Sequence, residues 1–431
     1  MDNGNKFATL LVGLDGFVVA AVDRHDDELW VLVETTATRA WCRTCGVRAQ
    51  LKQRRSVMVR DVGSHRPVRL VWRKRVWRCG EPACPTGSWR ERSEAIGARR
   101  ALTERARAQA CERVTAGVSV AAVARDLGVG WHTVMAAVRD HGQPKVDDPA
   151  RLDGVEALGL DETSFRRRTR HARAAMVTGF VDLDTGRLLE LIEDRTSKAV
   201  SEWLGRQPRA WRERVTVAAI DPYEGYATAL RRALPHATVV ADPFHIVRLA
   251  NHTVDQVRRR TQQETLGHRG RKGDPLYGVR HLLLLARQRL DDHAQQRIDT
   301  ALAAGDRYDE VACAWVGKEL VRDLYSADGV TAAAAVLDEL HDWAVRVDIP
   351  ELHRLDTTLR RWRTRILAFH DTGVTNGRTE AANLNIKTIK RVGRGFRNFH
   401  NYRLRVLLHC GVDRDTRPTA RIRGRTPSLA A

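Results

Sequence analysis

The sequence predicts a multidomain α+β protein, and three features support that fold class. Two cysteine pairs lie in an N-terminal segment rich in Val, Arg and Trp, a pair of helices with a central glycine follows, and the second half alternates apolar strands with helices. At 431 residues the chain is long enough for two or three domains of ordinary size. A single small module is therefore excluded.

The charge of the chain indicates the kind of partner that it binds. Lys and Arg number 73 against 53 Asp and Glu, the formal net charge is +20, and 43% of the residues are hydrophobic. This composition excludes a disordered chain, and no apolar run is long enough to cross a bilayer, so we expect no membrane partner. No secretory signal is expected at the N-terminus. The positive charge favours a polyanion, and nucleic acid is the first candidate.

Four cysteines in the predicted first domain, residues 1–98, form two closely spaced pairs. Cys42 and Cys45 form a CxxC motif, and Cys79 and Cys84 form a CxxxxC motif. Each pair is short enough to wrap around one tetrahedral ion, so the sequence predicts a zinc ribbon with a structural Zn²⁺. Four unrelated buried thiols are the alternative.

The segment between the two cysteine pairs is a candidate DNA-binding surface. Arg73, Lys74 and Arg75 lie between Trp72 and Trp77 in a stretch that is predicted to form strands. Basic side chains of this kind neutralise phosphates and bind DNA without regard to its sequence. An ordinary solvated strand face is the alternative.

Residues 99–145 have the pattern of a helix-turn-helix. In SVAAVARDLGVGWHTVMAAVRDHG, apolar residues repeat at helical spacing on both sides of Gly128. Trp131, His132 and Thr133 lie at the start of the second helix, from which side chains reach base edges in the major groove. A helical hairpin that binds no DNA is the alternative. The following stretch HGQPKVDDPARLDG is predicted to be a linker.

Residues 152–410 are predicted to form an α/β catalytic domain with a ribonuclease H-like fold. The elements are predicted in the order strand, hairpin, helix, strand, helix, strand, which matches that fold. The three strands outside the hairpin are predicted to end at Asp161, Asp221 and Asp242. Glu162 is expected to point away from Asp161, because adjacent residues of a strand face opposite sides of the sheet.

Three acidic residues form a candidate site for divalent metals. Asp161 and Asp221 are predicted at one edge of the sheet, and Glu380 lies in the first turns of a helix that begins at Asn376. Phosphodiester chemistry uses two divalent ions held by converging carboxylates, so two Mg²⁺ ions are predicted, with Mn²⁺ as a substitute. Helical spacing places Asn383 and Lys387 on the same face as Glu380, opposite the apolar stripe of this helix. Each acid taken alone also has a structural alternative, such as a favourable charge at a helix start.

These motifs resemble the ISL3-type insertion-sequence transposases, a family within the DDE transposases. The resemblance runs through nearly the whole chain, and its most specific part is the block TNGRTEAANLNIKTIKRVGRGFRNFHNYRLRVLL around Glu380. It implies that Asp161, Asp221 and Glu380 are the metal-binding DDE triad. It also implies that Asp242 and His245 match an accessory D-x-x-H element found in several such transposases.

The resemblance implies a function as well. Such a protein binds double-stranded DNA at the terminal inverted repeats of its element, cleaves it with Mg²⁺, and transfers the freed strand to target DNA, as a homo-oligomer assembled on DNA ends in the bacterial cytoplasm at the nucleoid. A DNA-binding regulator with an inactive catalytic domain and a nuclease without strand transfer are the alternatives. The sequence departs from the family's pattern after Asp221, where Pro222 precedes Tyr223.

Two further segments complete the predicted catalytic half. A helical insertion is expected at about 246–375, which either holds DNA ends or a partner subunit or covers the sheet. Its Trp315, Trp343 and Trp362 are interpreted as mostly core residues, with a stacking platform for a flipped base as the alternative. A basic tail is predicted at 411–431. Basic residues after Glu380 are expected to neutralise phosphates: Lys387, Lys390, Arg391, Arg394 and Arg397.

Overall fold

The computed structural model describes residues 3–26, 28–63, 68–166, 170 and 174–413. The chain divides into two compact units, residues 1–151 with 387–431 and residues 152–386. The predicted basic tail lies outside the described residues from position 414 onwards. None of the helices in the described part of the chain is both long and apolar enough to span a membrane.

The first unit begins with a helix and a five-stranded sheet: α1 (Asn3–Val12), β1 (Phe17–His25), β2 (Glu28–Thr35), β3 (Gln50–Asp61), β4 (Val68–Arg78) and β5 (Ser88–Arg90). The strand order is β1-β2-β4-β3, with β5 beside β4, and only the β2–β4 pair is parallel among these described strands. Val33, Leu70 and Trp72 are buried in the core on one face of the sheet. The two cysteine pairs lie in the loops that follow β2 and β4.

Three helices follow the sheet: α2 (Glu104–Thr115), α3 (Val120–Asp126) and α4 (Trp131–Asp147). Val123 of α3 and Val134 of α4 are fully buried, as their spacing predicted. Gly128 between these helices has a φ of +62°, which L side chains rarely adopt. The prediction of two helices joined at this glycine is confirmed.

The predicted linker after this motif begins later than expected. Helix α4 continues through Pro144 to Asp147. The reason is that Gly142 and Val146 extend the buried face of α4, so that packing keeps these residues helical despite the Pro, Gly and Asp content of the stretch.

The second unit begins with a mixed sheet and three helices: β6 (Ala157–Arg166), β7 (Ala175–Asp182), β8 (Leu188–Glu193), α5 (Ser197–Arg206), α6 (Arg209–Arg214), β9 (Val217–Ile220), α7 (Glu224–Ala233) and β10 (Thr238–Ala241). The strand order is β10-β9-β6-β7-β8. Strands β6, β7 and β8 are antiparallel, whereas β9 and β10 run parallel to β6. The first strand does not end at Asp161 as predicted, because pairing with β7 continues it to Arg166.

Helices occupy the range that was predicted to be a helical insertion: α8 (Pro243–Leu266), α9 (Pro275–Gly278), α10 (Asp292–Gly305), α11 (Glu310–Ser326), α12 (Gly329–Val347) and α13 (Pro350–Thr372). Helix α11 packs against α8 and α12, and α13 packs against β10. Trp362 is only 2% exposed, and Trp315 and Trp343 pack against the same core. These tryptophans are therefore core residues, and the alternative of a stacking platform does not apply to them.

The last two helices are α14 (Gly377–Val392) and α15 (Phe399–Cys410). Helix α15 packs against α2 and α4 of the first unit, where His409 Nδ1 lies 2.8 Å from the carbonyl oxygen of Thr115. Residues 387–410 were included in the predicted catalytic range, but they group with the first unit.

Helix α14 begins in direct contact with strand β6. Asn376 precedes the helix, and its Nδ2 donates a hydrogen bond of 3.2 Å to the carbonyl oxygen of Leu160. Gly159 precedes Leu160 in β6 and faces the start of α14. A Cβ atom on Gly159 would lie 2.2 Å from Thr379 Oγ1 and 2.8 Å from Asn376 Oδ1. Because glycine alone leaves this space open, the start of α14 can approach the sheet.

We expect Gly159→Ala to destabilise the second unit by about 1–3 kcal/mol, because the added methyl group overlaps Thr379 and forces α14 away from β6. Urea denaturation measures the change in unfolding free energy. Gly205→Ala is the control, since nothing lies within 4 Å of the Cβ position at this exposed helical residue. A loss in the control as large as that in Gly159→Ala would contradict the importance of this contact.

Candidate active site

The predicted acidic residues meet at the edge where the parallel strands end. Asp221 directly follows β9, and Asp242 directly follows β10. Asp161 lies at the same level on β6, because the preceding Leu160 pairs with Ile220 of β9. The three carboxyl groups therefore belong to three neighbouring strands of one sheet.

His245, in the first turn of α8, connects two of these carboxylates. Its Nδ1 lies 2.9 Å from Asp221 Oδ1 and 2.9 Å from Asp242 Oδ2. Burial disfavours the charged ring, but the hydrogen-bonding carboxylates of Asp221 and Asp242 outweigh this effect and raise the pKa of His245 to about 9. At neutral pH the imidazolium therefore offsets part of the negative charge.

The carboxyl group of Asp161 is held by hydrogen bonds. Asn383 Nδ2 donates to Asp161 Oδ2 at 2.5 Å, and the backbone N–H of Glu162 donates to Oδ1 at 2.6 Å. Burial, followed by the negative charge of Asp221, raises the pKa of Asp161 to about 6. Carboxylates that crowd each other in this way favour a cation between them.

Glu380 reaches the same place from the first turn of α14. One ligand atom each of Asp242, His245 and Glu380 lie within 4.8 Å of one another. Asp242 is 2% exposed, and it accepts hydrogen bonds from the backbone N–H of Asn376 and from the backbone N–H and Nδ1 of His245. Asp242 thus joins α8 to the start of α14 and aligns Glu380 with the strand-end acids.

The structure corrects the predicted position of Asn383. It was placed with Glu380 and Lys387 on the face opposite the apolar stripe, but it is only 6% exposed and points at Asp161, whereas Lys387 is exposed. The start of α14 packs on the sheet through polar as well as apolar side chains, and apolar periodicity does not reveal polar packing. The apolar stripe itself is buried as predicted.

Two contributors to the site were missed from the sequence. Asn376 is fully buried and bonds to both β6 and Asp242, and Gly159 makes room for it. A lone glycine inside an apolar strand is a known sign of close approach, so Gly159 could have been found. Glu162 points away from Asp161 as expected, with both oxygens 2.9–3.0 Å from Arg195 Nη1.

The four paired cysteines form a separate cluster in the first unit. Cys42 Sγ is 3.7 Å from Cys84 Sγ, Cys45 Sγ is 3.4 Å from Cys79 Sγ, and all four sulfurs lie within 4.8 Å of one another. Backbone N–H groups of Cys45 and Thr44 lower the pKa of Cys42 to about 6. Tetrahedral zinc with Zn–S bonds of about 2.3 Å separates its sulfur ligands by roughly 3.8 Å. The cluster is therefore compatible with one zinc ion.

The residues predicted to read bases lie at the exposed start of α4. Trp131 is 38% exposed and meets His132 edge-on, with ring centroids 5.2 Å apart. His132 is exposed and Thr133 is partly buried. These side chains have the accessibility that contact with DNA requires.

The structure contradicts one residue of the candidate DNA-binding surface on β4, which is Arg75. This residue is 6% exposed, and its guanidinium lies 3.2 Å from Glu91 and 3.0 Å from Glu34. A buried arginine held by two carboxylates makes a contact within the domain and does not reach a phosphate. Arg73 is exposed but also pairs with Glu34, and Lys74 lies over the ring of Trp72 at 4.1 Å.

The basic residues that follow Glu380 have side chains at the surface. Four of them are exposed and Lys390 is partly buried, the exposed ones being Lys387, Arg391, Arg394 and Arg397. Their accessibility is consistent with contact to a polyanion.

Comparison with known proteins defines the class of protein to which this chain belongs. Residues 158–406 match the family model described as "Transposase" for ISL3-type DDE enzymes, and residues 91–142 match the model described as "Helix-turn-helix domain of transposase family ISL3". The protein is thus a transposase with a DNA-binding helix-turn-helix and a DDE domain. The chain belongs to the ISL3 family.

Two named relatives agree with this assignment. The transposase for insertion sequence element IS1001 of Bordetella parapertussis is 26% identical over 414 residues, which cover 93% of this chain and 97% of that protein. The transposase for insertion sequence element IS1557 of Mycobacterium tuberculosis is 26% identical over 303 residues, covering 65% of this chain and 66% of that protein. The similarity to the first of them extends over nearly the full length of both chains.

Proposed function

We propose that the protein binds the terminal inverted repeats of its insertion sequence, hydrolyses a phosphodiester at each end and joins the freed 3′-OH to target DNA. The observation that carries this proposal is that Asp242, His245 and Glu380 cluster at the sheet edge that also carries Asp161 and Asp221, in a chain that belongs to a transposase family. Asp161, Asp221 and Glu380 are the proposed triad, and Asp242 and His245 position them.

We propose a ribonuclease H-like fold for the sheet of the second unit. Three antiparallel strands are followed by two parallel ones, and acids lie on the first strand and just after its parallel neighbour. This arrangement is the one predicted from the order of elements. It supports the proposed fold because it brings the acids to one edge.

Two Mg²⁺ ions are the proposed cofactors, with Mn²⁺ as a substitute. The residues fit such ions, because carboxyl groups lie together at this sheet edge and ligand atoms of Asp242, His245 and Glu380 lie within 4.8 Å of one another. When bound, divalent metal supplies an activated attacking oxygen and stabilises the leaving oxygen. Within the chain, Asn383 orients Asp161, and His245 Nδ1 lies 2.9 Å from Asp221 Oδ1.

DNA recognition is proposed to be divided between two kinds of surface. Trp131, His132 and Thr133 contact base edges in the terminal repeats, and exposed basic residues neutralise phosphates of any DNA. We further propose that several copies assemble on DNA ends and that the protein acts in the bacterial cytoplasm at the nucleoid. The proposed phosphate contacts are Arg73, Lys74, Lys387, Lys390, Arg391, Arg394 and Arg397.

The triad predicts the effect of three conservative substitutions. Asp161→Asn, Asp221→Asn and Glu380→Gln each remove a proposed metal ligand but keep the shape, so Mg²⁺-dependent cleavage of a labelled element end should fall by orders of magnitude while binding persists. An assay that resolves cleaved from joined products measures the effect.

Asp184→Asn is the matched control for the triad, because Asp184 lies exposed in the turn between β7 and β8. Full cleavage by two of the three variants would reject the triad. Binding without cleavage by the wild-type protein would instead identify a regulator, and cleavage without joining would identify a nuclease.

A structural Zn²⁺ is proposed for the four-cysteine cluster. Elemental analysis should find about one zinc per chain, and Cys42→Ser or Cys79→Ser should release it and loosen the first domain, because a serine oxygen is a poor substitute for a thiolate ligand. Cys313→Ser is the control and should retain the metal, since Cys313 lies outside the cluster. A folded, DNA-binding sample without zinc would end this proposal.

The recognition helix predicts a loss of specificity. In the full chain, His132→Ala or Thr133→Ala should reduce the preference for element ends over scrambled DNA by about 1–3 kcal/mol for each lost base contact. Arg394→Ala should weaken binding to both DNAs alike, with a shallower dependence on salt. Competition binding at two salt concentrations tests both statements. Equal weakening of both DNAs by His132→Ala would place base recognition elsewhere.

A further inference from the structure

The same short motif follows both parallel strands at the active-site edge. Strand β9 is followed by Asp221–Tyr223, with the sequence DPY, and β10 is followed by Asp242–Phe244, with the sequence DPF. The acids belong to the site described above. The two aromatic residues, Tyr223 and Phe244, have no part in the proposed mechanism, and Tyr223 lies where the sequence departs from the family's pattern.

Both aromatic side chains are exposed although apolar rings usually pack inside. Tyr223 is 38% exposed and Phe244 is 55% exposed. Each meets a buried ring edge-on: Tyr223 meets Tyr226 with centroids 5.2 Å apart and planes at 89°, and Phe244 meets His245 at 5.4 Å and 90°. A near-perpendicular contact does not pair the faces of two rings. The exposed part of each ring is apolar surface on which another planar group can pack.

The backbone holds both rings in place. A Cβ atom on Gly225 would lie 2.4 Å from Cε1 of Tyr223, so the ring occupies space that only a glycine leaves free. Phe244 lies in the first turn of α8, which Asp242 caps by accepting a hydrogen bond from the backbone N–H of His245 at 3.2 Å.

An arginine accompanies each ring. The guanidinium of Arg195 lies 5.8 Å from the centroid of Tyr223 and is held by Glu162, the neighbour of Asp161. Arg248 is exposed one helical turn after Phe244, on the same face of α8. Stacking rings combined with cationic side chains are how proteins bind unpaired nucleotides, since the base covers the ring and the phosphate meets the cation.

We infer that Tyr223 and Phe244 stack on unpaired bases beside the scissile phosphodiester, so that the active site takes DNA whose strands are locally separated at that point. In a paired duplex both faces of each base are covered by its neighbours, and the ring faces become useful only when bases leave the stack. This inference rests on the proposed function, because that function places the scissile phosphate at the carboxylates. Beyond that function, the inference specifies that the site accepts DNA with locally separated strands.

The experiment compares three DNAs of one arbitrary sequence: a fully paired duplex, the same duplex with two unpaired central nucleotides, and the latter with abasic sites at those two positions. Binding to the full-length protein is measured with Ca²⁺ in place of Mg²⁺. Wild-type protein should bind the DNA with unpaired bases about 5- to 150-fold more tightly than the other two, which is the range expected for one stacked base.

The variants separate stacking from structure. Tyr223→Leu and Phe244→Leu should each reduce this preference, whereas Tyr223→Phe, which keeps the ring, should retain it. The matched control is Tyr308→Leu, because Tyr308 is 67% exposed and also has an arginine over its ring, at 5.3 Å, but lies in the loop before α11. The control should keep the full preference.

Two results would overturn the inference. The first is that wild-type protein shows no preference for unpaired bases. The second is that a Leu variant weakens binding to all three DNAs equally, which would identify the rings as a structural contact or a contact between copies. In a second measurement, 2-aminopurine at an unpaired position should be quenched by wild-type protein but not by the Leu variants. If wild-type protein prefers the DNA with unpaired bases but shows no Mg²⁺-dependent cleavage, the result supports stacking and contradicts the proposed function.

Discussion

The site depends on the hydrogen bonds that attach the start of α14 to the ends of the sheet strands. Asn376 bonds to the carbonyl oxygen of Leu160 and to Asp242, and Asn383 bonds to Asp161. Buried amide groups must find partners, because an unpaired one costs about 1–3 kcal/mol. The same bonds bring Glu380, more than 130 residues further along the chain than Asp242, to the strand-end acids. Without them the acids of the sheet and the helix would have no common location.

Electrostatics explains why this arrangement of acids suits a metal ion. Burial raises the pKa of Asp161 to about 6, and repulsion by the carboxylate of Asp221 adds to the rise. The imidazolium of His245 offsets part of this repulsion from within the protein, between Asp221 and Asp242. The carboxylates of Asp221 and Asp242 are therefore already arranged around a positively charged side chain. The cysteine cluster of the first unit is a different type of site, in which soft thiolate ligands fit one zinc ion.

Much of the fold and of the site could be predicted from local patterns. Alternating strands and helices indicated the order of elements, paired cysteines indicated a cluster, and Gly128 marked the turn of the helix-turn-helix. Acids at strand ends could be found because parallel strands end at one edge. Arg75 could not be distinguished from Arg73 in this way, because its burial depends on Glu34 of β2 and on Glu91, which follows β5. The end of β6 was also missed, since pairing with β7 determines it.

The sequence by itself determined the types of residue, their periodicity and their order: strand-end acids, cysteine spacing, an amphipathic helix around Glu380 and an excess of positive charge. These properties are local or additive, so they can be recognised without coordinates. Tertiary structure alone decided which polar residues became buried partners, as in the contact of Asn383 with Asp161, and which aromatic residues stayed exposed, as in Tyr223 and Phe244. The physical reason is that burial and hydrogen bonding depend on segments far apart in the chain, which only the folded packing brings into contact.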